Sequence, residues 1–224
     1  MTLTLYQLYK LMLMKMGPTG WWPAESKNEI ICEAILIQNT NSTNAEQAAD
    51  NLRQKTAFNG QTLLQISTPE LENLIRPAGF FKNKSRAIQG FFTWYQSFDF
   101  QSEAVIKKYG QGLRQELLSL RGIGNETADV FLTYVFDQPT FIADKYARTL
   151  FTHLGITGLA KYEDLAKQCQ LDSNFSVSDA QEFHGLIDEF GKQYFRRQDR
   201  FTDSFLHGEQ LTLHPSDVIE NHSL

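Results

Sequence analysis

Cysteine is nearly missing from this chain. Its two cysteines, Cys32 and Cys169, stand far apart with no C-x-x-C spacing. That excludes a disulfide framework, a structural zinc site and an iron–sulfur cluster held by four cysteines of this chain. Positive charge is not in excess either, since 21 Lys and Arg against 26 Asp and Glu leave a net charge of -5. A uniformly acidic surface would repel phosphate. The basic residues, however, come in groups: Lys82, Lys84 and Arg86; Lys107, Lys108 and Arg114; Arg196, Arg197 and Arg200. Each group taken alone reads as a solvated helix face. No apolar stretch is long enough to span a bilayer. Strand-like alternation, internal repeats and low-complexity segments are also missing. The expectation is a cytoplasmic protein without membrane association.

What the chain does have is helical periodicity. Apolar residues recur at i, i+3, i+4 and i+7 in Ala45, Ala48, Ala49, Leu52; in Ile88, Phe91, Phe92, Tyr95; and in Ala128, Phe131, Leu132, Val135. The same spacing returns at Ala147, Leu150, Phe151, Leu154; at Tyr162, Leu165, Ala166, Cys169; and at Phe183, Leu186, Ile187, Phe190. Near the start, Leu5, Leu8, Tyr9 and Met12 form a stripe that predicts a packed helix rather than a signal peptide. The run IICEAILI, ending at Ile37, is apolar on nearly all sides and suits a central helix. Thr68-Pro69 reads as a cap followed by proline at the first helical position, and Pro77 ends that helix near Arg76. The last stretch, HPSDVIENHSL, lacks periodicity and reads as a loose tail. With 42% hydrophobic residues among 224, the chain can build one large domain or two lobes.

One stretch, LRGIGNETADVFLTYVFDQPTFIADKYARTLF, carries candidate chemistry. Gly122 and Gly124 predict a tight turn between two helices where another molecule can approach the backbone. Asn125 is placed to cap the second helix, whose N-terminal amides and dipole suit a phosphate. A bare helix–helix connection is the plainer reading of those three residues. Asp144 likewise reads either as a cap for KYARTLFTHL or as a reactive carboxylate.

The pattern L-x-G-I-G-x-x-T-A with Asp144 twenty residues after Gly124 resembles the helix-hairpin-helix DNA glycosylases related to endonuclease III. The resemblance extends from about Trp21 to Arg200 through EAILIQNTN (Glu33 to Asn41), ELENLIRPAGFFKNKSRAI (Glu70 to Ile88) and FHGLIDEFGKQYF (Phe183 to Phe195). It implies that Gly122, Ile123, Gly124 and Asn125 grip DNA backbone and that Asp144 is catalytic. It also implies that Gln38 or Asn39 fills the gap left by a flipped base, while Lys82 and Lys84 hold phosphates. The implied fold is all-α and two-lobed. A six-helix barrel lobe spans residues 27–138, and a second lobe combines 1–26 with 139–224, so that Asp144 faces the hairpin across a cleft.

Two departures from the family pattern bear on mechanism. Bifunctional members carry a lysine directly before the Thr-Ala pair; here that residue is Glu126, which cannot act as an amine nucleophile. The four cluster cysteines are replaced by Phe195, Thr202, Phe205 and Leu211, which implies no iron–sulfur cofactor and no metal, although a monovalent cation at the hairpin is compatible. GWWPAESKNEIICEAILIQNT is similar to the bacterial 3-methyladenine glycosylases, so Trp21, Trp22 and Lys192 are candidates for a base pocket that attracts a cationic purine. One or both tryptophans could equally staple the N-terminal helix to the core. The resemblance implies a bacterial, nucleoid-associated, monomeric, monofunctional enzyme acting on damaged double-stranded DNA. A glycosylase for oxidised or mismatched bases and a non-catalytic DNA-binding module are the alternatives.

Overall fold

The computed structural model describes residues 1–213, so the HPSDVIENHSL tail lies outside the described residues. In chain order the helices are α1 (Leu5–Met16), α2 (Lys27–Leu36), α3 (Ser42–Thr56), α4 (Gly60–Gln65), α5 (Thr68–Leu74) and α6 (Phe81–Gln96). They continue with α7 (Ser102–Tyr109), α8 (Leu113–Ser119), α9 (Asn125–Tyr134), α10 (Lys145–His153), α11 (Tyr162–Gln168) and α12 (Val177–Tyr194). Among the described residues, extended pairing is confined to β1 (Thr2–Leu3) and β2 (Gln210–Leu211), which run parallel. The protein is all-α in the sense its periodicity predicts.

The chain divides into two units, Pro23–Asp137 and a second made from Met1–Trp22 with Gln138–Leu224. The first runs from α2 to α9, more helices than the expected six among the described residues, because α4 and α5 are separate short segments. Its interior follows the sequence stripes. Ile31, Ile35 and Leu36 of α2, Leu52 of α3, Ile88 and Phe92 of α6 and Phe131 of α9 are all fully buried. The Phe91 and Phe131 rings meet edge-on at 4.8 Å. Helix α2 is buried on nearly every side, with Ile37 just past its end exposed. The start of α5 differs by one residue from expectation. Ser67 is the cap, accepting from the Glu70 amide, and Pro69 follows one position later than predicted; the helix then stops at Leu74, before a 3₁₀ turn over Arg76–Ala78.

In the second unit, α1 lays Leu5, Leu8, Tyr9 and Met12 into a cluster with Phe141, Phe151, Phe183 and Phe190. Cys169 belongs to that cluster as a small buried hydrophobe. The end of the chain that replaces the family's cysteines is packed by rings. His153 stacks with Phe195 at 5.4 Å and with Phe201 at 4.5 Å, and Phe205 meets Phe190 edge-on at 5.7 Å. Leu211 is buried on β2, whereas Thr202 is exposed and takes no part in this packing.

Lys84 overturns its expected role as a surface cation. It is 3% exposed, and its Nζ donates to the carbonyls of Leu36 and Ala78, both at 2.8 Å. Leu36 is the last residue of α2, so the ammonium satisfies a carbonyl that the helix end leaves without a partner. Burial lowers the Lys84 pKa to about 8. The folded protein therefore binds fewer protons here than the unfolded chain between about pH 8 and the ordinary 10.5, and stability from this group rises with pH across that window. Lys84→Met should lower unfolding free energy by about 2 kcal/mol at neutral pH, because two buried carbonyls lose their donor. It should also flatten the rise above pH 8, as checked by urea titrations on both sides of that pH.

Candidate functional site

The candidate residues fall into two groups, one in each unit. In the first, α8 and α9 form the hairpin. Gly122 has φ +82, and a Cβ there would lie 2.7 Å from the Cβ of Ala87, so both conformation and space demand glycine. Gly124 behaves differently from expectation. Its φ of -93 suits any residue, and nothing lies within 4 Å of where its Cβ would stand. Between them Ile123 is 6% exposed and anchors the turn. The helices are joined by Arg114 of α8, whose Nε and Nη2 donate to the two carboxylate oxygens of Asp129 at 2.7 and 3.0 Å.

The same guanidinium donates to Oδ1 of Asn125 at 3.1 Å, which corrects the expected cap. Asn125 is the first residue of α9, Gly124 is its cap, and no side chain caps the helix. The helix dipole and the open surface at Gly124 therefore coincide, an arrangement suited to a phosphate. Glu126 is exposed in the first turn of α9.

Beside the hairpin lies a cavity of about 360 Å³ lined by Gln38, Asn39, Phe80, Lys84, Arg121 and Gly122, among others. Gln38 Nε2 donates to the Gly122 carbonyl at 3.1 Å and to Thr127 Oγ1 at 2.9 Å, so this side chain braces the turn. Asn39, exposed and with φ +51, is the better placed of the two gap-filling candidates. Lys82 is exposed, as expected. Two residues escaped the sequence reading. Arg121 is exposed at the cavity, supplying the charge that the buried Lys84 does not. Phe80 is 65% exposed with φ +46, whereas its neighbour Phe81 lies under the Arg76 guanidinium at 4.5 Å. A Gly-Phe-Phe pair before a helix was a signal, but not of which ring faces out.

In the second unit Asp144 caps α10, its Oδ1 accepting from the Ala147 amide at 2.7 Å. The side chain is 14% exposed, and its Oδ2 lies 3.9 Å from Nε2 of His184 on α12. Burial, with the nearby Lys192 charge, lowers the His184 pKa to about 4, so the imidazole is neutral at pH 7 and the contact is not an ion pair. One turn further along α12, Asp188 is raised by burial against the pull of Lys192. Burial favours the neutral form of Lys192, but its bonds to Asp188 at 2.6 Å and Glu189 at 2.8 Å outweigh that and its pKa is raised.

Lys192 and Trp21 come together as expected, with Nζ 4.6 Å from the indole centroid. They line a cavity of about 690 Å³ with Thr19, Tyr194 and Phe205. Trp22 does not line it but meets Trp21 ring to ring at 5.4 Å. The indole Nε1 of Trp21 is buried without a hydrogen-bond partner. Because one face of Trp21 already carries an ammonium, a cationic purine cannot use that face without repulsion.

A family model for HhH-GPD superfamily base excision DNA repair proteins matches residues 32–171, and the chain belongs to that superfamily. A protein of Methanocaldococcus jannaschii, provisionally named the DNA repair glycosylase MJ1434, is 34% identical over 197 residues, 87% of this chain and 90% of its own. Among solved structures, the H. pylori 3-methyladenine DNA glycosylase MagIII, bound to 1,N6-ethenoadenine, matches with a TM-score of 0.67 at 26% identity, over 85% of this chain and 98% of that one. A non-covalent endonuclease III–DNA complex shares the fold, with a TM-score of 0.66 at 18% identity over 88% of each chain. The protein is a helix-hairpin-helix DNA glycosylase of base excision repair.

The two glycines should separate under substitution. Gly122→Ala should cost about 1–3 kcal/mol of stability from the left-handed backbone and the Ala87 contact. Gly124→Ala should leave thermal unfolding unchanged while weakening DNA binding, because its methyl stands where the backbone must be approached. Melting curves and fluorescence anisotropy read the two effects. Arg121→Ala should reduce the slope of log affinity against log salt by about 1, as for one lost phosphate contact.

Proposed function

We propose that the protein is a monofunctional glycosylase for alkylated purines in double-stranded DNA. The observation that carries this reading is the Asp144 carboxylate held at the start of α10 beside a neutral imidazole, in a chain whose hairpin helix has Glu126 where a lyase would need lysine. A glycosylase must build positive charge on the deoxyribose as the N-glycosidic bond breaks. A fixed carboxylate stabilises that charge and orients or deprotonates the attacking water. His184 is not protonated at pH 7 and so supplies no imidazolium proton to the leaving base. A base that already bears a methyl group and a positive charge needs none.

In this reading the hairpin amides and Arg121 hold phosphates while Asn39 and the exposed ring of Phe80 enter the duplex. An apolar wedge at a base step offsets part of the unstacking cost, which is a few kcal/mol and smaller for a damaged pair. The extruded base enters the region of Trp21, beside which Trp22 offers a second aromatic surface. The likeness to MagIII supports the alkylpurine class. The proposed enzyme is a monomer and needs no iron–sulfur cluster, since Phe195, Phe205 and Leu211 pack into the apolar cluster. Glu126 cannot form a Schiff base, so the product is an intact strand with an abasic site.

The test is incubation with methylated DNA and analysis of released bases. Wild-type protein should liberate free methylpurine and leave strands that break only on later alkali or lyase treatment. Asp144→Asn should bind the same DNA and release base at least about 10²-fold more slowly, the scale expected when an electrostatic transition-state contact is removed. Borohydride reduction during turnover should trap no covalent adduct. A trapped adduct or direct nicking would refute the monofunctional assignment, and release of oxidised or mismatched bases alone would refute the substrate class.

A further inference from the structure

Helix α12 carries a carboxylate that the mechanism above leaves unused. Glu182 accepts from two successive backbone amides, Oε1 from Thr19 and Oε2 from Gly20 at 3.2 Å. Thr19 Oγ1 in turn accepts from the Trp21 amide at 3.3 Å. The backbone turns at Gly20 with φ +64, a conformation glycine allows. Trp21 then lies directly on Gly185, where an added Cβ would stand 2.4 Å from the Trp21 Cβ and 2.5 Å from Thr19 Oγ1. Over the indole is Lys192, at 4.6 Å. Offsets of three and ten along a helix place Gly185 and Lys192 on the same face as Glu182. A carboxylate, a missing side chain and an ammonium on one helix face thus fix the segment from Pro18 to Trp21, which lies outside any helix.

We propose that Glu182 is a positioning residue for the base pocket: by clamping the Thr19 and Gly20 amides it sets where the Trp21 indole meets the extruded base. The inference rests on the reading of Trp21 as a base-contacting residue. An ordinary carboxylate has enough lone pairs for both amides, whereas a glutamine turns its NH₂ toward one of them and leaves that donor unpaired. Nothing in this role requires Glu182 to touch DNA, so its effect must pass through Trp21.

The test is a double-mutant cycle in the full chain on methylated DNA, with Glu182→Gln, Trp21→Ala and both together. Glu182→Gln should lower kcat/KM for base release about tenfold, the scale of one lost charged hydrogen bond, and the double variant should be no slower than Trp21→Ala alone. Losses that multiply in the double variant would overturn the proposal, since they mark Glu182 as acting independently of the indole. In protein labelled with 5-fluorotryptophan, the Trp21 resonance, assigned by Trp21→Phe, should shift or broaden in Glu182→Gln while that of Trp94 stays in place. An unchanged Trp21 resonance would also overturn the proposal. The fluorine readout needs no substrate, so a protein that shows the shift but releases no methylpurine keeps the clamp and loses only the alkylpurine class. A Trp21→Ala variant with full base release would remove the assignment of Trp21 and the functional part of the inference with it.

Discussion

The geometry of the hairpin depends on one ion pair. Asp129 is 2% exposed, and its carboxylate receives two parallel bonds from Arg114, so neither helix can slide without stranding a buried charge. That pairing also decides the chemistry at the tip. By drawing the Asn125 side chain toward α8, it leaves α9 to begin at a glycine without a side-chain acceptor. A helix that capped itself would have internal competition for the phosphate its amides are proposed to bind. The structural bond and the binding surface are therefore two consequences of one guanidinium.

The second unit is organised in the same economical manner by α12. Its face bears Glu182, Gly185, Lys192 and, further round, His184 and Asp188, so one rigid element places the segment before Trp21, the ammonium over the indole and the imidazole near Asp144. Glycine recurs for steric reasons here. A Cβ at Gly191 would lie 2.2 Å from the Tyr146 ring, just as one at Gly185 would strike Trp21. Asp144 serves as both cap and proposed catalyst without conflict, since capping holds the carboxylate in one orientation and a pre-oriented charge is what a developing cation requires.

Much of this was legible in the sequence. Stripes such as Leu5, Leu8, Tyr9, Met12 and Ile88, Phe91, Phe92, Tyr95 name the buried faces of α1 and α6, because a 3.6-residue period is a property of the helix itself. The Gly-x-Gly turn, the carboxylate at 144 and the glutamate at 126 are likewise matters of residue identity. Other residues were misjudged because their roles depend on neighbours distant in the chain. Lys84 sits in a basic run yet turns inward, since its ammonium meets the carbonyls of Leu36 and Ala78, the first 48 residues away. Gln38 and Asn39 look equivalent until Gln38 is found bonded to Gly122 and Thr127.

By itself, then, the amino-acid sequence determined which segments are helical, where they turn and which reactive groups are available, since these follow from local periodicity and from the chemistry of single side chains. Tertiary structure alone decided which of two glycines is conformationally required, which lysine is solvated, which phenylalanine is exposed and which carboxylate clamps a backbone. Those outcomes turn on desolvation and on the placement of partners such as Ala87, Leu36 and Thr19, and no spacing along the chain encodes them.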